Sequence, residues 1–206
     1  MLGAGGHASV LAEILLEQGR QLIAVVSPEP IKEDSPLYGV EQLANDENLL
    51  TAYRSQDVAL INGVGSIPGN NTRSKLFDFF SIKGYSFEKV ISPKAILSNY
   101  LTLEEGVQIM AGSIIQTHAV IGRNSVINTG AIIEHDCIIG TNNHIAPGVT
   151  LSGGVGTGPD VHIGTGSNII QSIKIGEAAV VGAGTTVARD VPAGQVLIPA
   201  RSRVIS

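Results

Sequence analysis

Hydrophobic positions recur every sixth residue from Ile91 to Pro192. The first residues of the successive steps are Ile91, Leu97, Leu103, Ile109, Ile115, Ile121, Ile127, Ile133, Ile139, Ile145, Leu151, Thr157, Ile163, Ile169, Ile175, Val181 and Val187; all but Thr157 are aliphatic. The fifth residue is small or β-branched almost throughout, as at Ala131, Cys137, Val149 and Ser167. Gly often follows the first, as at Gly122, Gly140 and Gly164. No helix or hairpin keeps such a period for about a hundred residues without a slip; it marks a parallel β-helix. Each hexapeptide gives one short strand and one turn, with the aliphatic side chain inward. Gly and small polar residues take the turn conformations that a Cβ resists. The unbroken frame excludes a long inserted loop. Thr157, inside Gly153-Gly154-Val155-Gly156-Thr157-Gly158-Pro159, predicts a looser coil.

Ahead of the repeat the pattern changes. The run Gly3-Ala4-Gly5-Gly6-His7-Ala8 leads into helical spacing, with Val10, Leu11, Ile14 and Leu15 apolar and Glu13 and Glu17 polar. A strand over 22–26 ends at Ser27-Pro28. A Gly-rich turn before a helix sets backbone N–H groups and the helix N-terminus against phosphate. A first strand should precede that turn, near the middle of the sheet, and only Met1 and Leu2 stand there. The expectation is a truncated chain or a misplaced start, which counts against nucleotide binding. The acid usual at the end of the second strand is also absent, its place taken by Ser27, Pro28 and Glu29.

A short polar helix is expected over 49–54 and a strand over 58–61, ending at the second Gly turn, Gly63-Val64-Gly65-Ser66. Asn71-Thr72-Arg73 caps a helix with Leu76, Phe77 and Phe80 on its apolar side. The fold expected is therefore an α/β, Rossmann-like βαβαβ domain over 1–88, joined with almost no linker to an all-β domain over 89–206. So stiff a join suggests that both domains act on one substrate.

A net charge of −5 without a basic tract argues against nucleic acid or an anionic membrane as partner. The single Cys137 allows no internal disulfide and falls at a core position. No signal peptide or long apolar run is present, which reads as a soluble cytoplasmic protein.

The chemistry concentrates in Ile127-Asn128-Thr129 through Glu134-His135-Asp136 to His144-Ile145-Ala146-Pro147-Gly148. His135 holds the third, outward position of its hexapeptide. A neutral imidazole is the natural general base near neutral pH, and a carboxylate beside it favours the imidazolium it becomes. Glu134 and Asp136 are both candidates; neighbours on a strand point to opposite faces, so Asp136 reaches the ring only if the chain turns there.

The hexapeptide pattern resembles that of the acyltransferases whose triangular coils of three hexapeptides form a left-handed β-helix. The whole chain resembles the sugar acyltransferases of the NeuD/PglD type. The residues that carry the resemblance are Gly3 to Ala8, Gly63-Val64-Gly65 with Arg73-Ser74-Lys75-Leu76, Ile91-Ser92-Pro93-Lys94-Ala95, Ile127-Asn128-Thr129, Glu134-His135-Asp136, Ala146 to Gly153 and Gly182-Ala183-Gly184. The resemblance implies roles. His135 is the general base and Asp136 the acid that raises its basicity. Asn128 and His144 line the acetyl-transfer site. His144, Gly153, Thr165 and Ala183 contact acetyl-CoA, the co-substrate. Gly3, Ala4, Gly5, Gly6, His7 and Gly65 hold a nucleotide-linked sugar. It also implies a homotrimer with each active site between neighbouring β-helices. In Val196-Leu197-Ile198-Pro199-Ala200-Arg201, Ile198 replaces the family's usual Gly before Pro-Ala, at the end of the coenzyme groove.

The function expected is acetyl-CoA-dependent N-acetylation of a nucleotide-linked amino-sugar, with no metal and no covalent intermediate. O-acetylation of a sialic or related nonulosonic acid is the alternative, because one base serves both acceptors. A γ-type carbonic anhydrase would need about three histidine-type ligands on zinc. Of the histidines available, His144 and His162 are spaced to stack on adjacent coils, and His118 and His162 read as surface residues. A non-catalytic trimeric scaffold would have no need for the Asn128, His135, Asp136 and His144 set.

Overall fold

The computed structural model describes residues 1–199. The chain forms two compact units: Met1–Pro93 with Glu105–Gln108, and Lys94–Glu104 with the described chain from Ile109 on.

The first unit contains α1 (Gly6–Glu17), β1 (Ala24–Val26), β2 (Glu41–Leu43), α2 (Asp46–Ala52), β3 (Ala59–Leu60), α3 (Thr72–Ile82) and β4 (Ser86–Phe87). β1 pairs in parallel with β2, and β3 with β4. Between β1 and β3 lies Leu2, bridged in parallel to Val26 on one side and Asn62 on the other. Leu2 N donates to Ile61 O (2.8 Å), Val26 N to Met1 O (2.8 Å), Gly3 N to Val26 O (2.9 Å) and Gly63 N to Leu2 O (2.8 Å). The expected gap in the sheet is therefore corrected: Leu2 bridges both neighbours, and the backbone groups of Met1 to Gly3 close the ladder. The order β2-β1-Leu2-β3-β4 places both Gly turns at the C-terminal ends of adjacent central positions, where open α/β sheets bind ligands.

Leu2, Ala24, Val26, Leu43, Leu49, Leu60, Phe77, Phe80, Tyr85 and Phe87 form the core. α1 buries Leu11, Ile14 and Leu15 but leaves Val10 outside. α2 starts earlier than expected because the Asn45 side chain accepts from Asn48 N and caps it. The cap of α3 also differs. Asn70 Oδ1 accepts from Thr72 N (2.8 Å), and Asn71 makes no side-chain cap.

The second unit is a left-handed parallel β-helix of two-residue strands on three faces. Val120 pairs with Thr102 and Ile138, Ile132 with Ile114 and Thr150, and His144 with Val126 and His162. Partners thus stand eighteen residues apart, or three hexapeptides per coil. The first-position side chains fill the interior, with Ile121, Ile127, Ile133, Ile145 and Ile163 fully buried. Each contributes about 1.5–3 kcal/mol by leaving water.

The turn conformation falls on the fourth position, where φ is near +60° at His118, Asn124, Asp136 and Asn142 as well as at glycines. The glycine after the first position has a different cause from the one expected. A Cβ on Gly140 would lie 2.3 Å from Gly158 O of the next coil, so the coils stack only if that position is bare. The looseness expected at Thr157 is confined to one rung. Thr157 Oγ1 accepts from Gly140 N (3.0 Å), and strand pairing there narrows to Ile138 with Gly156. Cys137 is buried, with its thiol pushed up by burial, which makes it inert. Among the described residues no helix is long and apolar enough to cross a membrane.

Candidate active site

The strand Ile132–Ile133 ends in a corner made by Glu134, His135 and Asp136. On a straight strand the side chains of His135 and Asp136 would diverge. Here Asp136 sits at φ +60°, in the left-handed region that a short polar residue tolerates. The corner swings its carboxylate back to the ring, and His135 Nδ1 lies 2.7 Å from Asp136 Oδ2. Asp136 is therefore the acid that serves His135. The hydrogen bond from His135 holds its carboxyl below the usual carboxylate range, with the nearby His118 adding to the effect. A proton on Nδ1 donated to this carboxylate leaves the lone pair on Nε2.

The next coil keeps that nitrogen accessible. A Cβ on Gly153 would lie 2.7 Å from His135 Nε2, so any side chain there would collide with the ring. Gly153, expected at the coenzyme, packs against the His135 ring. His118, read as a surface residue, is exposed. It holds the position one coil earlier than Asp136, and its Nδ1 lies 3.4 Å from Asp136 Oδ1. The carboxylate is thus flanked by two imidazoles.

Asn128 and His144 form a second group on the preceding face. Asn128 Nδ2 and His144 Nε2 are 3.5 Å apart. His144 occupies an outward position of the hexapeptide, yet it is only 8% exposed. It lies in register between Val126 and His162, and its ring stacks on that of His162 at 4.8 Å between centroids and 22° between planes. The stacking expected from their spacing is present, and the surface reading of His162 is corrected: burial pushes its pKa down. The two rings lie face over face rather than converging on a point, and among the described residues no three His, Cys, Asp or Glu side chains cluster to hold a metal.

Thr165 and Ala183 are exposed on successive coils of one corner, where Gly184 N donates to Thr165 O (2.8 Å). The same corner column carries Thr129, whose carbonyl accepts from Gly148 N (2.9 Å). Thr165 and Ala183 therefore share one corner column with Thr129, next to Asn128 in the chain. Ala200 and Arg201, at the end of the expected groove, lie outside the described residues.

In the first unit Ala4, Gly5 and Gly6 line a cleft of about 610 Å³ together with Ser9, Ser27, Glu29 and Lys32. Glu29 thus brings a carboxylate to the cleft from beyond the strand end. Gly3 takes φ +88°. His7 turns from the cleft, with Nε2 2.8 Å from Gln108 Oε1, and a Cβ on Gly65 would touch His7 Cβ at 3.6 Å. Burial, then the charge of Arg73, push the His7 ring down to about 4, so it is neutral. Gln108 Nε2 donates to Asn62 O (2.8 Å). Arg73 donates to Asn62 O (2.9 Å) and Val64 O (2.8 Å), and Asn62 Nδ2 donates back to Arg73 O (2.9 Å). These bonds fix the second Gly turn. Arg73 is 5% exposed, and burial pushes its guanidinium down to about 9. A cation in the first turn of a helix opposes the helix dipole; that misfit was the one sequence signal for this network.

Comparison with known proteins adds the following. Residues 1–80 match the PglD N-terminal domain, and residues 118–153 match the bacterial transferase hexapeptide (six repeats). Among curated proteins none matches the chain. Among solved structures, PerB from Caulobacter crescentus, in complex with CoA and GDP-perosamine, is 34% identical with a TM-score of 0.85, over 96% of this chain and 92% of that one. The acetyltransferase domain of PglB from Neisseria gonorrhoeae is 25% identical with a TM-score of 0.86, over 96% and 94%. WeeI from Acinetobacter baumannii, 23% identical with a TM-score of 0.81 over 99% and 97%, shares the fold.

Proposed function

The chain belongs to the NeuD/PglD type of CoA-dependent sugar acyltransferases, and from that premise we propose that it N-acetylates a nucleotide-linked 4-amino-sugar with acetyl-CoA. The observation that carries the reading is the His135 ring, anchored to Asp136 through Nδ1 and left open at Nε2 above Gly153. The choice of an amine over a hydroxyl is supported by the Caulobacter relative, whose structure holds CoA and GDP-perosamine and which is described as a perosamine N-acetyltransferase.

In this reading the sugar amine attacks the thioester carbonyl carbon while His135 Nε2 takes the proton from the amine. The charge that forms on the ring is balanced by Asp136. The His144 ring or a backbone N–H donates to the developing oxyanion. The carbon–sulfur bond then breaks, and the coenzyme leaves as the thiol after taking up a proton. The nucleotide lies in the cleft of Ala4 to Gly6, its phosphates at the N-terminus of α1. The coenzyme runs along the Thr165 and Ala183 corner. The active enzyme is a cytoplasmic homotrimer with its sites between chains. The partly exposed aliphatic column of Ile96, Ile114 and Ile132 supports an interface on the β-helix.

Thiol release from acetyl-CoA tests the reading, with UDP-linked 4-amino-4,6-dideoxy sugars, GDP-perosamine and free or CMP-linked sialic acid as acceptors. Turnover is expected with an amino-sugar, and His135→Ala is expected to lower it by about 10²–10⁴ without loss of fold. A loss below about tenfold would remove His135 as the base. Turnover with sialic acid alone would move the acceptor from amine to hydroxyl.

A further inference from the structure

We propose that His162 is a positioning residue of the acetyl-transfer site: its ring is the flat support that holds the His144 imidazole in one orientation beside Asn128. The proposal rests on the role of His144 given above.

Outward side chains of a β-helix strand ordinarily stand in water and sample several rotamers. His144 does not. Its neighbours on the same face are Val126 in the coil before, 1% exposed, and His162 in the coil after. The column continues from His162 to Val180. Valines suffice at either end, but they offer no plane. Only His162 presents a ring face, 4.8 Å from that of His144 and inclined by 22°. Offset stacking of this kind fixes the tilt of the ring as well as its position. The tilt matters because Asn128 Nδ2 lies 3.5 Å from His144 Nε2, which accepts from it, and such a bond weakens steeply away from its preferred direction.

The support is itself held neutral. His162 Nδ1 is buried and meets no hydrogen-bond partner among the described residues. A protonated ring would leave a buried N–H unsatisfied and would press a cation against His144. A neutral His162 avoids both costs.

The test compares His162→Ala and His162→Phe in the full protein, with steady-state kinetics on the acceptor found above and NMR of the His144 imidazole. His162→Ala is expected to lower kcat by about tenfold, with both KM values within about twofold. His162→Phe restores a ring and should recover kcat to within about threefold of wild type. The His144 ring signals should shift in the Ala variant and return towards wild type in the Phe variant. Wild-type kcat in the Ala variant, no recovery in the Phe variant, or an unchanged His144 signal would each overturn the proposal. If no acceptor turns over, the acetyltransferase reading fails, and the His144 signal still decides whether His162 holds the ring.

Discussion

At Asp136 the backbone turns through φ +60°, and that angle decides which of two neighbouring acids serves His135. The sequence left Glu134 and Asp136 open, because a strand and a corner send side chains in different directions and the hexapeptide period does not say how sharp the corner is. Asn tolerates the same left-handed backbone as Asp and has nearly the same shape. Asp136→Asn therefore removes the charge and little else. We expect kcat to fall by about 10–10³, because an amide no longer stabilises the imidazolium and accepts less firmly from Nδ1. Kinetics beside circular dichroism would check this; a folded variant with kcat above about a third of wild type would show that the carboxylate is dispensable. His118 was missed for a related reason: its partner is Asp136, one full coil along the chain.

At the scale of elements, the two Gly turns of the first unit are tied through side chains as well as through the backbone bond from Gly63 N to Leu2 O. His7, Gln108, Asn62 and Arg73 make the tie, and His7 gives it a pH dependence. The folded ring is pushed to about 4, below its ordinary 6.5. The unfolded chain therefore binds the proton first as pH falls. Stability of the unit should decline between about pH 6.5 and pH 4 by about 2 kcal/mol and change no further through this group below that. His7→Asn keeps a partner for Gln108 and should flatten that part of the slope. Urea unfolding followed by helical ellipticity reads it, because all three helices belong to this unit. Equal slopes in the two proteins would remove His7 as the source. The glycines of the turns were visible in the sequence as a pattern. The side chains that hold them were not, since Arg73 stands in a helix, Gln108 in a hexapeptide, and nothing in local spacing brings those together. The repeat was legible to the residue because every coil obeys the same steric rule. The central strand was not, because pattern counting needs several residues, whereas a ladder can be closed by one.

At the scale of the whole molecule, His135 and the Asn128–His144 group stand on successive sides of the β-helix, and the proposed function takes a site completed by a neighbouring chain. Sedimentation should give a species of three chains, each of 21.4 kDa. A stable, fully active monomer would sink the interchain site.

The eighteen-residue coil also works as a protractor. Removing eighteen residues between two corners would shorten the stack and leave every later side chain on its own face. Removing six would respect the inside-outside pattern just as well, yet rotate everything downstream by a third of a turn. Thr165 and Ala183 would then leave the corner column that carries Thr129. Two deletions of equal merit for folding thus differ wholly in what they do to activity. Changes in gene length are filtered here by angle, and a measurement of stability alone would not see the filter.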